Sequence, residues 1–176
     1  IGYPNAEERY RNKGLTAFGF QLIEAMNDLG IIIDVSHLSD KGFWDVASQS
    51  KSPFLASHSN ARAIRNHSRN LSDEMIRTIA EKGGLVGINF YSNFLGDKNI
   101  GTIQDIITHI RHMKKVGGID ILALGSDFDG ISTPVEFEDC SHMDQLYYGL
   151  LKSGFSEDEV DKIFYSNALS FIKEIL

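Results

Sequence analysis

Apolar residues along this chain switch repeatedly between helical spacing and short unbroken runs. Over 15–29, Phe18, Leu22, Ile23, Met26 and Leu29 share one helical face behind Thr16, a good N-cap, with Gly30 as a stop. Ile31-Ile32-Ile33-Asp34-Val35 follows as a β-branched run, the signature of a buried strand. A second helix is expected from a cap at Ser39 or Asp40 to about Ser48, then a strand over 53–57 with Pro53 tolerated at its start. Ser72 caps a third helix over 73–82, and Gly83-Gly84 leads into a strand over 85–90. Thr102 caps a fourth helix to about Val116, with Ile103, Ile106, Ile107, Ile110 and Met113 inward, and a strand over 121–125 follows. Three more helices are expected in the tail: one near 143–152, one opened by a capping box of Ser156 with Glu159, and one from about Asn167 to Leu176.

Helix and strand thus alternate, and the strands are continuous apolar runs. Such runs indicate parallel strands covered on both faces, an α/β fold. No internal linker or repeat divides the chain, so residues 1–176 form one domain or one piece of a domain. Closing an eight-stranded barrel takes about 250 residues, which leaves an open doubly wound sheet or half a barrel. The first strand is followed by no glycine-rich fingerprint, and no P-loop occurs, so dinucleotide and P-loop readings have no support.

Composition narrows the function classes. Against 17 Lys and Arg stand 24 Asp and Glu, a net charge of -7 that argues against nucleic acid or an anionic membrane as partner. The single Cys140 excludes an intrachain disulfide and an all-cysteine zinc site. The chain opens on Ile1 in a polar stretch with no signal-peptide pattern, and is expected to begin mid-protein. Its C-terminal residues lack the long apolar tail of a lipid-anchor signal. The expectation is a cytoplasmic protein with no membrane anchor in this segment.

Candidate chemistry sits where strands end. Ser36-His37 follows the first strand, His58 the second, and Ser126-Asp127-Phe128-Asp129-Gly130 the fourth. In parallel α/β sheets that edge binds ligands. Strict alternation would give His37 the face of Ile33 and Val35, His58 that of Phe54 and Ala56, and Asp127 that of Ala123 and Gly125. Two imidazoles on neighbouring strands suit a metal ion, zinc above all, with a carboxylate nearby; the bland alternative is a pair of hydrogen-bonded core histidines. Asp34 is a candidate partner for the His37 imidazole, or else a buried acid paired with a neighbouring strand. Asp127 is a candidate ligand or proton carrier, and Asp129, before Gly130, reads as a turn former. The long loop after His58 holds Arg62, Arg65 and Arg69, any of which could grip a carboxylate through a bidentate fork. His109 and His112 read as members of a solvated helix face, His67 and His142 as loop residues, and Phe18, Phe20, Phe43, Trp44 and Phe90 as core.

The blocks Gly14-Leu15-Thr16-Ala17-Phe18-Gly19, Ile33-Asp34-Val35-Ser36-His37-Leu38-Ser39, Ser57-His58-Ser59-Asn60-Ala61, Arg69-Asn70-Leu71-Ser72-Asp73, Gly87-Ile88-Asn89-Phe90-Tyr91 and Gly125-Ser126-Asp127-Phe128-Asp129-Gly130 resemble, in order and nearly end to end, the membrane dipeptidase (renal dipeptidase) family of zinc peptidases. The resemblance implies a (β/α)8 TIM barrel of the metal-dependent hydrolase type, of which this chain supplies about half, the C-terminal part of one catalytic domain. It implies two zinc ions in the complete enzyme, with this chain supplying His37 and His58 as ligands of one, and dipeptide hydrolysis by a metal-bridging hydroxide. It selects Arg69 as the residue holding the substrate's C-terminal carboxylate and Asp127 as the acid that binds and moves protons near the scissile amide.

In that family the other zinc site uses a His-x-Asp pair on the first strand, a glutamate from the first half bridges both metals, and a further first-half histidine polarises the substrate carbonyl. The one His-x-Asp in this chain, His142-Met143-Asp144, lies at the start of the helix expected near 143–152 and follows no expected strand. The segment is therefore expected to be inactive alone and to need the remaining N-terminal half as its partner, with a homodimer a possible assembly. Two rival readings are another metal-dependent amidohydrolase-type barrel hydrolase and a non-catalytic binding or assembly fragment of the same fold.

Overall fold

The computed structural model describes residues 1–175 except 6, 133 and 134. Its elements run α1 (Ala17–Asp28), α2 (Asp40–Gln49), β1 (Leu55–Ala56), α3 (Asp73–Glu81), β2 (Leu85–Ile88), α4 (Ser92–Leu95), α5 (Ile103–Gly117), β3 (Leu122–Leu124), α6 (Met143–Lys152), α7 (Glu157–Asp161) and α8 (Asn167–Ile175), with a π-helical turn at Lys162–Ser166 between the last two. The expected caps all function: the side chains of Thr16, Ser39, Ser72, Thr102 and Ser156 each accept a first-turn backbone N–H. The expected end of α8 at Leu176 lies outside the described residues.

β1, β2 and β3 pair in parallel in that order. The run 31–35 is less regular than its composition predicts. It joins the β1 edge through one parallel bridge, Asp34 to Leu55, in which Leu55 donates to the Ile33 carbonyl (3.0 Å) and Val35 to the Leu55 carbonyl (2.9 Å). Four parallel segments therefore lie side by side.

Both sheet faces are covered, as the apolar runs require. Ile33, Val35, Phe54, Ala56, Val86, Ile88 and Leu122 pack into the main core with Phe43 and Val46 of α2, Met75, Ile76 and Ile79 of α3, and Ile106, Ile107, Ile110 and Met113 of α5. On the opposite face Leu85 and Ala123, with Ile32 and Leu55, meet Ala168, Phe171 and Ile175 of α8. Asn167 ties that helix down by donating to the carbonyls of Ile119 and Leu122, both at 2.8 Å.

Two expectations about the core need correction. Phe43 and Phe90 are buried, but Phe18 and Trp44 are exposed, because α1 turns Gly19 and Ile23 inward and α2 turns Phe43, Val46 and Ala47 inward instead. His109 is not on a solvated face: it is fully buried, because the loop after β1 and the end of α4 close over that side of α5. There Nδ1 accepts the Ala61 N–H (3.1 Å) and Nε2 faces the Leu95 carbonyl (3.0 Å). His112 is half-buried and pairs with Asp73 at 2.7 Å. Among the described residues no helix is long and apolar enough to cross a membrane.

Candidate functional site

The four parallel segments deliver their terminal polar residues to one place, but not by strict alternation. After Val35 the chain turns, with the Leu38 N–H donating to the Val35 carbonyl (3.0 Å). Asn5 braces the turn from the amino-terminal segment: its N–H donates to the His37 carbonyl (3.0 Å) and its Nδ2 to that of Ser36 (3.1 Å). β1 is over by Ala56, so His58 also stands on a turn. Asp127 breaks the period of the last strand by adopting a left-handed backbone, φ 64°. Side chains that strict parity would put on different faces are thus free to converge.

Packing under the site is tight. The Ser57 carbonyl is wedged between Gly87 and Gly125, where a Cβ would approach it to 2.0 Å and 1.8 Å respectively. Glycine at both positions is what lets the end of β1 sink between its neighbours, and the Ser59 N–H completes the fit on the Gly87 carbonyl at 2.8 Å.

His37 and His58 face each other with Nε2 atoms 2.9 Å apart and ring centroids 4.9 Å apart. Burial and the neighbouring Arg69 charge hold both imidazoles below the usual histidine pKa, in the neutral form that ligates metals. Two nitrogens bound to a tetrahedral zinc stand about 3.3 Å apart, so the pair needs only a few tenths of an ångström of opening to share one ion. A three-residue His, Cys, Asp or Glu cluster placed to hold a metal does not occur among the described residues. The two imidazoles offer two nitrogen donors side by side, and a typical catalytic zinc site takes three protein ligands.

Of its two readings, Asp34 follows the second, an acid paired with the neighbouring strand. It does not touch the His37 ring; it grips the end of β1. Its Oδ1 accepts the N–H groups of Ser36 and Ser57 (both 3.0 Å), and its Oδ2 accepts the Ser57 hydroxyl (2.5 Å). Crowding by the strands pushes its pKa up, but these hydrogen bonds outweigh that and leave it below the usual carboxylate value. The Ser57 oxygen in turn lies 2.6 Å from Nδ1 of His58, and Ser36 Oγ accepts the His58 N–H (3.0 Å).

The three candidate arginines separate cleanly. Arg62 is committed to Asp40 through a bidentate pair (2.7 Å each) and to the Asn70 carbonyl (2.8 Å). Arg65 pairs with Asp97. Arg69 is buried at 5% exposure, stacks over Phe94 at 5.4 Å and reaches to within 3.4 Å of His37 Nε2, yet its Nη1 has no hydrogen-bond partner. Burial lowers its pKa, while the charges of Asp127 and Asp34 act to raise it.

Asp127 lies within electrostatic reach of His58 and Arg69. Its Oδ2 accepts from Asn89 Nδ2 at 3.0 Å. Asn89, fully buried at the end of β2, is the strand-end residue that sequence reasoning left without a role. Its Oδ1 accepts the Tyr91 N–H (2.6 Å), which turns its amide nitrogen toward Asp127, and Asn60 braces its backbone with bonds of 2.9 Å and 3.0 Å. The signal was present: Asn60 and Asn89 are amides at the ends of otherwise apolar strands. Asp129 is exposed in the short turn Phe128–Gly130, as a turn former should be.

A parallel α/β sheet that gathers two neutral imidazoles, a buried guanidinium and a carboxylate at and beside its strand ends offers donors for a cation next to a grip for an anion. The profile of the membrane dipeptidase family (peptidase family M19) matches residues 3–175, and the chain belongs to that family. It is 42% identical over 166 residues to an uncharacterized protein in the pqqA 5' region of Klebsiella pneumoniae, covering 92% of this chain and 61% of that one. It superposes with TM-score 0.89 and 34% identity on a Rhodobacter sphaeroides metallo peptidase liganded with a phosphinate mimic of L-Ala-D-Ala, covering 93% of this chain and 48% of that one. An amidohydrolase from Pseudomonas aeruginosa aligns at TM-score 0.88 and 27% identity, covering 99% and 61%. The fold is thus about half of a (β/α)8 barrel, and the chain spans roughly half to three-fifths of the length of these relatives.

Proposed function

We propose that this chain is the C-terminal part of the catalytic barrel of a zinc-dependent dipeptidase. His37 and His58 hold one metal ion, Arg69 takes the substrate's C-terminal carboxylate, and Asp127 carries protons at the scissile amide. The observation that carries the reading is the juxtaposition of two converging Nε2 atoms with a buried guanidinium whose Nη1 is unpartnered. One feature calls for a cation, the other for an anion, and they lie within 3.4 Å of each other.

The chemistry follows from that spacing. Arg69, 3.4 Å from His37, would anchor a substrate carboxylate beside an ion held by the two histidines, which favours short peptides with a free C-terminus. A bound zinc supplies Lewis acidity and a water acidic enough to act as a nucleophile near neutral pH. Asp127, oriented by Asn89, is the carboxylate available to pass a proton to the departing amine. The dipeptide mimic bound to the Rhodobacter relative supports the substrate class. Because this chain offers two histidine donors, the remaining ligands are assigned to the N-terminal half of the barrel, and the segment alone is expected to be inactive.

The test uses the full-length protein. His37→Ala and His58→Ala should each lower zinc content and dipeptide turnover together, and native metal occupancy in both would sink the ligand assignment. The likeness to the Pseudomonas amidohydrolase keeps a second reading, hydrolysis of cyclic amides; turnover of a panel of cyclic amides without dipeptide turnover would favour it.

A further inference from the structure

Ser57 sits between a carboxylate and an imidazole, and its one hydroxyl proton decides the state of both. The Oγ lies 2.5 Å from Asp34 Oδ2 and 2.6 Å from His58 Nδ1. An ionised carboxylate only accepts. If the hydroxyl proton pointed at His58, two bare oxygens would face each other at 2.5 Å. The proton therefore lies toward Asp34, and the serine oxygen must accept from His58, whose Nδ1 carries the hydrogen. That leaves the Nε2 lone pair of His58 aimed at His37.

We propose that Ser57 is a positioning residue that relays the Asp34 charge to His58, fixing the Nδ1–H tautomer and sharpening Nε2 as a metal donor. Metal-bound histidines ordinarily rest their second nitrogen on a carboxylate, a carbonyl or water; here a serine is interposed. The backbone is built for it. Asp34 also takes the Ser57 N–H (3.0 Å), Ser36 Oγ takes the His58 N–H (3.0 Å), and the Gly87 and Gly125 cradle pins the Ser57 carbonyl. The ring thus has its tautomer set from one side and its backbone from the other. The inference rests on the proposed role of His58 as a ligand and adds to it the group that prepares that ligand.

Two measurements on the full-length protein test it. In the metal-free native protein, nitrogen-15 NMR of labelled histidine should find His58 with its hydrogen on Nδ1; a hydrogen on Nε2 would overturn the proposal without any substitution. Competition with a chromophoric chelator should find zinc affinity reduced about 10- to 100-fold in Ser57→Ala, and restored to within a few-fold by Ser57→Thr, which keeps the hydroxyl. Native zinc affinity in Ser57→Ala would overturn the relay while leaving the ligand assignment intact, provided His58→Ala still loses metal. Native affinity in both variants would instead remove the assignment of His58 itself.

Discussion

The imidazole of His109 accepts the backbone N–H of Ala61 at 3.1 Å, three residues beyond His58. Its other nitrogen donates to the Leu95 carbonyl at 3.0 Å, next to the Phe94 ring that carries the Arg69 guanidinium. An N–H can only donate and a carbonyl can only accept, so the two partners require a neutral ring with its hydrogen on Nε2. A buried histidine of α5 thus clamps the loop that carries His58 and Arg69 to the end of α4, whose Phe94 stacks on the guanidinium.

This clamp predicts a pH-dependent stability. Burial lowers the His109 pKa to about 4, against 6.5 for a free imidazole. Between those values the unfolded chain binds the proton and the folded chain does not. Stability should therefore decline as pH falls from about 6.5 to about 4, by about 3 kcal/mol in total, and this contribution should level off below that. Urea unfolding of the full-length protein across that range, compared with His109→Gln, checks it: the variant should lose this part of the slope. Equal slopes would mean that His109 does not bind its proton on unfolding.

Arg69 should matter for binding where Arg65 does not. Arg69→Met removes a charged donor from a buried site and should raise KM for dipeptides about 10- to 100-fold. Arg65→Met, which breaks a pair with the exposed Asp97, should change KM by less than about twofold. Steady-state kinetics on free and C-terminally amidated dipeptides gives the check; an equal loss on both would show that Arg69 does not read the carboxylate.

Asp127→Asn should lower kcat about 100-fold or more while zinc content stays native, because it removes a proton carrier and not a ligand. Metal analysis beside single-turnover kinetics separates those outcomes. Loss of zinc along with rate would move Asp127 into the ligand set.

Gly125→Ala places a methyl 1.8 Å from the Ser57 carbonyl, a contact that backbone on both sides must move to relieve. A cost of about 1–3 kcal/mol or more is expected, read as a drop in the thermal unfolding midpoint. Gly96→Ala, where a Cβ would meet nothing within 4 Å, serves as the control and should leave the midpoint nearly unchanged.

Much of this protein is decided by neighbours in sequence. The helix starts at Thr16, Ser39, Ser72, Thr102 and Ser156 were legible because a cap needs only its own hydroxyl and an N–H two or three residues on. The parallel sheet was legible because strands buried on both faces cannot alternate polar and apolar residues. His37, His58 and Asp127 could be singled out as strand-end residues for the same reason, and the family match bears out the resemblance those blocks carry.

What lies opposite a residue was not legible. No local pattern distinguishes Arg69 from Arg62, since the difference is the presence of Asp40 across the loop. His109 sits among polar neighbours on α5 and is nonetheless in the core, because two distant loops fold over it. Only the fold decided between the two readings of Asp34, in favour of the neighbouring strand's Ser57, and turns at both strand ends overruled the alternation that would have set their faces. Propensity and periodicity are summed along the chain, so the sequence by itself determined the elements and their order. Hydrogen-bond partners and burial are settled by which segments pack together, so the tertiary structure alone decided which polar side chains meet, which are neutralised, and which is left with an unanswered charge.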